Sequence, residues 1–170
     1  MSIPPDIETV FTEFRTAELT TLAKDGTPIT WPVTLLYKRE QGQFFAATSA
    51  GLAAKCLNIR RDPRVSLLFS EPAGSGLTQP PAVLVQGIGS APDVIIHQGE
   101  KAIYDDLYRL STIVFQRQKS DLSLPKFLMH RLLDWYYIRL PIYITIQRIH
   151  WWPNMDFSQP PQHMEAAHVG

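Results

Sequence analysis

FFAATSAGLAAKCLNIRRDP, residues Phe44–Pro63, is the stretch from which the rest of this chain is read. An apolar run ends in two hydroxyl residues, Thr48 and Ser49, and a helical period follows in which Leu52, Cys56 and Ile59 recur at i, i+4 and i+7. The pattern predicts a strand over Phe44–Thr48, then a short helix. Asp62 and Pro63 stop that helix, because the residue before a proline avoids helical geometry. A helix start carries backbone N–H groups without intrahelical partners and a field that favours an anion. Thr48 and Ser49 put hydroxyls just ahead of it, and Lys55 puts a mobile charge about one turn later. Arg60 and Arg61 lie at the far end, where they can reach a second phosphoryl group or satisfy the last carbonyls. The set suits a phosphate. It equally suits a plain helix with Ser49 as N-cap and Lys55 as a solvated charge, and no Walker-type glycine spacing separates the two.

Upstream, Pro5–Ala17 reads as a helix whose first turn Asp6 caps, with Val10, Phe11 and Phe14 on one stripe. Leu19–Ala23 is a strand, and Asp25-Gly26 is a hairpin turn. A second strand alternates through Ile29, Trp31, Val33, Leu35 and Tyr37. Pro32 inside it removes a ladder donor and predicts an edge, a bulge, or backbone facing something other than a strand. Glu40–Gln43 turns the chain into the Phe44 strand. Downstream, Arg64–Ser70 and Ala82–Gly89 are strands separated by a Gly/Pro/Ser-rich loop, Glu71–Pro81. Gln98–Lys119 has helical periodicity, and Pro125 opens a further helix through Tyr136. Ile142–Trp152 is the last strand, and the Pro- and Gln-rich residues 153–170 read as a loose or partner-draped arm. Six strands in hairpin order predict a mostly β, mainly antiparallel, Greek-key-like barrel with peripheral helices and a helical insertion over 93–139. The barrel unit runs over 1–152. A Rossmann arrangement lacks both its crossover helices and its glycine fingerprint here.

Composition bounds the partners. Sixteen Lys and Arg balance sixteen Asp and Glu over 170 residues, so no broad nucleic-acid or membrane footprint is expected. Cys56 is the only cysteine, which excludes an internal disulfide and a cysteine-based zinc cluster. No signal-peptide pattern opens the chain, and the expectation is a cytoplasmic protein.

Three ordered segments carry a resemblance: LTTLAKDGTPITWPV from Leu19, GQFFAATSAGLAAKCLNIRRDPRVSLLF from Gly42, and AVLVQGIGSA from Ala82. Together they resemble the pyridoxamine-5'-phosphate-oxidase-like family, whose fold is the FMN-binding split barrel. The resemblance implies FMN as cofactor, or a deazaflavin in one branch, and a homodimer with cofactor sites at the subunit interface. It matches Lys55 to the phosphate-binding basic residue and Thr48 and Ser49 to strand-end phosphate contacts. Trp31, Pro32, Val33 and Thr34 match the strand beside the flavin ring and ribityl chain, and Pro32 gains a reason there. Gln86 matches a position that approaches the cofactor from the side, and Trp151 or Trp152 an aromatic near the facing subunit's flavin. Many members carry a Ser or Arg just before the lysine, where this chain has Ala53 and Ala54.

The expected function is therefore a flavin-dependent oxidoreductase acting on an unidentified small molecule, with Arg148 or His150 as available proton donors and no catalytic residue assigned. The alternatives are a deazaflavin-dependent reductase and a non-catalytic flavin-binding or structural dimer. No metal site is expected, since the five histidines show no HExxH or other close ligand spacing. His130 would matter only by analogy with haem-binding split barrels. Asp105 and Asp106 are adjacent on a helix and point apart.

Overall fold

The computed structural model describes residues 3–96, 101–118 and 139–165. Helix α1 spans Pro5–Glu13 and strand β1 Ala17–Leu22. The Asp25-Gly26 turn leads into β2, Pro28–Val33; Gly26 sits at φ 84°, and the Asp25 carboxylate accepts from the Thr27 N–H. The alternating segment read as one strand is two, because Thr34 and Leu35 break it before β3, Leu36–Lys38. A 3-10 turn and Gly42, at φ 57°, reverse the chain into β4, Gln43–Ser49. Helix α2 is Ala54–Arg61, β5 Arg64–Phe69, β6 Ala82–Ser90, α3 Lys101–Gln118 and β7 Arg139–Trp152.

The arm contributes a further strand, β8, Gln162–Glu165, which pairs with β7. The helix expected behind Pro125, His130 and the Trp135–Tyr137 cluster lie outside the described residues, as does the chain beyond Glu165. Asp6 is not the cap of α1. Pro4 occupies that position, and Asp6 lies in the first turn, where a carboxylate still complements the helix field.

The sheet runs β2-β1-β5-β6-β7-β4-β3, with β8 added to β7. Its two ends, β2 and β3, are joined by two residues only, so Val33 and Leu36 lie at most about 11 Å apart. A seven-strand path whose ends are tied that closely has to curl nearly shut, and no ladder joins β2 to β3: the barrel is split. β2 is an edge strand and Pro32 sits on it opposite Glu18, where its missing N–H costs nothing. One edge of β7 takes β6; the other takes β4 along residues 139–145 and β8 along 148–151.

Inward residues of each strand fill the barrel: Ala17 and Leu19, Val65, Leu67 and Phe69, Val83 and Val85, Ile142, Ile144 and Ile146. Each end is closed by a helix. At one, Phe11 of α1 lies 4.9 Å from the Phe44 ring and 5.2 Å from the Phe69 ring. At the other, Cys56 and Ile59 of α2 enter the core, and Gly89 lets them: a Cβ there would come within 2.9 Å of Ile59. Leu52, read as part of the same stripe, is instead 67% exposed, because the 3-10 turn Ala50–Leu52 carries it out of the helix period. Phe45 turns to the outer face of β4, where Leu107 and Leu110 of α3 cover it. That is why FFAA reads as a continuous apolar run. Lys38 pins α3 to β3 through Asp106, Nζ to Oδ2 at 2.6 Å. Among the described residues no helix is long and apolar enough to cross a membrane.

Candidate functional site

At the α2 end of the barrel, three predicted residues from three separate elements converge. Thr48 is the next-to-last residue of β4, faces inward and is buried. Its hydroxyl donates to the Leu52 carbonyl at 3.3 Å and accepts from Lys55 Nζ at 2.9 Å. The same ammonium lies 5.4 Å from the centre of the Trp31 ring, within cation–π range. Lys55 reaches both because it is the second residue of α2 and the helix leaves β4 through a tight turn. No carboxylate among the described residues pairs with it.

Burial pushes the Lys55 ammonium below its ordinary pKa; neighbouring Cys56 opposes this and the Arg139 charge adds to it. Arg139 opens β7 directly opposite Ser49 in the β4 ladder. It was not singled out in the sequence, where it stands at the end of the helical insertion. A pairing across ninety residues left no local signal to find it.

Ser49 does not cap α2. The 3-10 turn intervenes, Ala53 is the N-cap and no side chain accepts from the first N–H groups. The helix start thus keeps backbone donors open beside the two cations. Its far end is fully committed. Arg60 donates to the carbonyls of Ala91 and Pro92 at 2.6 and 2.8 Å and pairs with Asp93. Arg61 donates to the Leu22 carbonyl and to Asn58 Oδ1, both at 2.8 Å, and buried Asn58 donates to Thr21 Oγ1 at 3.0 Å. Neither arginine reaches toward Lys55; together they tie α2 to β1 and to the chain leaving β6. Cys56 is a core residue whose thiol burial holds protonated.

The other predicted residues lie elsewhere. Pro32 is exposed at the edge, Val33 packs half-buried on the core, and Thr34 is half-buried in the link to β3. Gln86 projects from the outer face of β6 into an open concavity of about 330 Å³, with Thr20, Arg64, Ser66 and Gln147 around it. A bulge shapes this hollow: Gln86 pairs with Arg148 and Gly87 with Ile146, leaving Gln147 as the extra residue. Gly87 is required there, since a Cβ would stand 2.4 Å from the Thr145 carbonyl oxygen. Trp151 packs half-buried on the core opposite Val83, toward the α1 end, and Trp152 meets the Phe157 ring at 5.4 Å with the planes tilted by 46°. Arg148 is held by Glu165 at 2.6 Å, and His150 faces His163 on β8.

Cation, hydroxyl, indole face and uncapped helix start form a place for an anion next to a planar ring. Residues 3–101, more than half the chain, match the family model described as pyridoxamine 5'-phosphate oxidase, and the chain belongs to that family. It is similar in fold to a conserved hypothetical protein from Mycobacterium tuberculosis, at 22% identity over 99% of this chain and 95% of that one, TM-score 0.63. A FAD-binding protein from Mesorhizobium loti is 23% identical over 87% of this chain and 92% of its own, TM-score 0.55. A heme binding protein from Mycobacterium smegmatis is 18% identical over 97% of this chain and 60% of its own, TM-score 0.58. Among curated proteins none matches the sequence.

Proposed function

We propose that this member of the pyridoxamine 5'-phosphate oxidase family binds FMN and works as a flavin-dependent oxidoreductase on a small molecule, two copies of the chain completing each site. The observation that carries the reading is Lys55: a half-buried ammonium, depressed by burial and by Arg139, with a hydroxyl and an indole face as its described neighbours and no carboxylate. Such a group gains most from a bound anion, which relieves the desolvation and the repulsion together.

The residues fit a phosphate ester. Lys55, Thr48, Arg139 and the open N–H groups of α2 would hold the phosphate, and Trp31 would lie beside the ring system. Arg139 supplies a cation where Ala53 and Ala54 leave out the family's usual polar donor. Gln86 and Trp151, remote from Lys55 within one chain, fit contacts made to a partner copy's cofactor. When bound, the flavin supplies the hydride or electron transfer. The chain's own part is to fix the phosphate, orient the ring and keep water from it.

The test is titration of the purified apo-protein with FMN, with riboflavin and with a phosphorylated deazaflavin, followed by absorbance and by light scattering for mass. Saturation by FMN, weak binding of riboflavin and a dimeric mass are expected. Saturation by the deazaflavin alone would move the chain to that branch. Failure of all ligands at about 100 μM, equivalent to about 5.5 kcal/mol of binding free energy, would refute the cofactor reading.

A further inference from the structure

His150 on β7 and His163 on β8 are direct partners in the ladder, with ring centroids 6.0 Å apart and planes inclined by 33°. We propose that this pair chelates a divalent transition-metal ion of borderline softness, zinc being the reference, and that the ion clips β8 onto the barrel. The inference is independent of the flavin reading.

The geometry supports it in three ways. An imidazole nitrogen binds zinc at about 2.0–2.1 Å, which puts each ring centre roughly 3.2 Å from the ion. At the tetrahedral angle two rings sharing one ion have centres about 5.2 Å apart, so the observed 6.0 Å closes onto an ion with a side-chain shift of less than about 1 Å. His163 is exposed and His150 half-buried, so an ion and its completing waters reach the pair from solvent. On the same side of the ladder, Arg148 is paired with Glu165 through two donors at 2.6 and 3.1 Å, so its charge is offset in part by a carboxylate.

The described residues contain no cluster of three or more His, Cys, Asp or Glu suited to a metal, so this is a two-ligand site of the exposed, exchangeable kind. Its consequence is structural: β8 has four residues and its described ladder partner is β7 alone, so a clip at its centre controls whether it stays docked.

The experiment uses the full chain without an affinity tag. Zinc is titrated calorimetrically, with magnesium as control, and amide exchange of residues 162–165 is followed with and without zinc. One zinc per chain is expected, with no saturable binding of magnesium. Zinc is expected to slow exchange in β8. His150→Ala and His163→Ala are each expected to weaken binding by at least about tenfold, given that losing outer-shell partners alone costs that much. His163 is exposed, so its variant keeps the fold and serves if His150→Ala does not. Absence of saturable zinc binding would overturn the proposal. So would zinc binding that survives His163→Ala, or that falls with His168→Ala while persisting in His150→Ala.

Discussion

Replacing Lys55 separates a phosphate contact from a packing contact. Lys55→Ala deletes the ammonium that donates to Thr48 Oγ1 at 2.9 Å and lies over Trp31 at 5.4 Å. Alanine is the best helix former, and the position is the second residue of α2, so the helix persists. Thr48 keeps its bond to the Leu52 carbonyl, so no buried hydroxyl is orphaned. The ammonium is held in part against its own desolvation, so removing it costs the apo-protein little. With phosphate present, one hydrogen bond between charged groups is worth about 1.5–3 kcal/mol, or about 10- to 150-fold in affinity. FMN binding is therefore expected to weaken by that factor, while riboflavin, which lacks the phosphate, changes by no more than about threefold, about 0.6 kcal/mol. Lys55→Met keeps a stem against Trp31 and should match alanine for FMN. The assay is parallel titration of both ligands, with mass and melting temperature recorded for each variant. Equal losses for FMN and riboflavin would refute the phosphate role and make Lys55 a packing residue. Unchanged FMN affinity would refute any role in binding.

Three further outcomes test the scaffold. Gly87→Ala forces a Cβ against the Thr145 carbonyl, a backbone atom that cannot turn away, and should destabilise by about 1–3 kcal/mol in urea melts; a change below half a unit would mean the bulge flexes freely. Phe11→Ala opens a void among Tyr37, Phe44 and Phe69 and should cost about 3–5 kcal/mol, read from the same melts. The Asp62 carboxyl is held at about 2 by the side-chain and backbone hydrogen bonds from Arg64, so its stabilising contact is complete above the ordinary 3.8 and is lost as pH falls through 2. Arg64→Ala should return its titration, followed by carbon NMR, toward 3.8, and a midpoint that stays near 2 would show another cause.

The elements most legible in the sequence were those set by local rules. Alternation in Val65, Leu67 and Phe69 placed β5 and its buried face, Asp25-Gly26 placed the first hairpin, and Asp62-Pro63 ended α2 where predicted. Pro32 narrowed its segment to an edge, a bulge or backbone facing something other than a strand, and the structure shows the edge. Misreadings came from breaks with little sequence signal. Thr34 and Leu35 keep the alternation intact while the chain passes from one end of the sheet to the other, and the 3-10 turn at Ala50–Leu52 hides inside an apparently helical period. β8 lay in a Pro- and Gln-rich tail without apolar alternation; it exists because β7 outruns β4 and leaves a bare edge.

For the candidate site, the sequence alone determined the ingredients: Thr48 and Lys55 are seven residues apart on a strand-turn-helix, a distance local geometry can close. Only the tertiary structure decided which cations belong there. Arg60 and Arg61 are nearest in sequence, yet helix direction sends them to the carbonyls of β1 and the chain beyond β6. Arg139 is ninety residues from Ser49 and arrives beside it because β7 pairs antiparallel with β4. Local periodicity can say that a charge sits on a helix; which charges share a pocket is a property of strand register, and register is set only when the whole barrel closes.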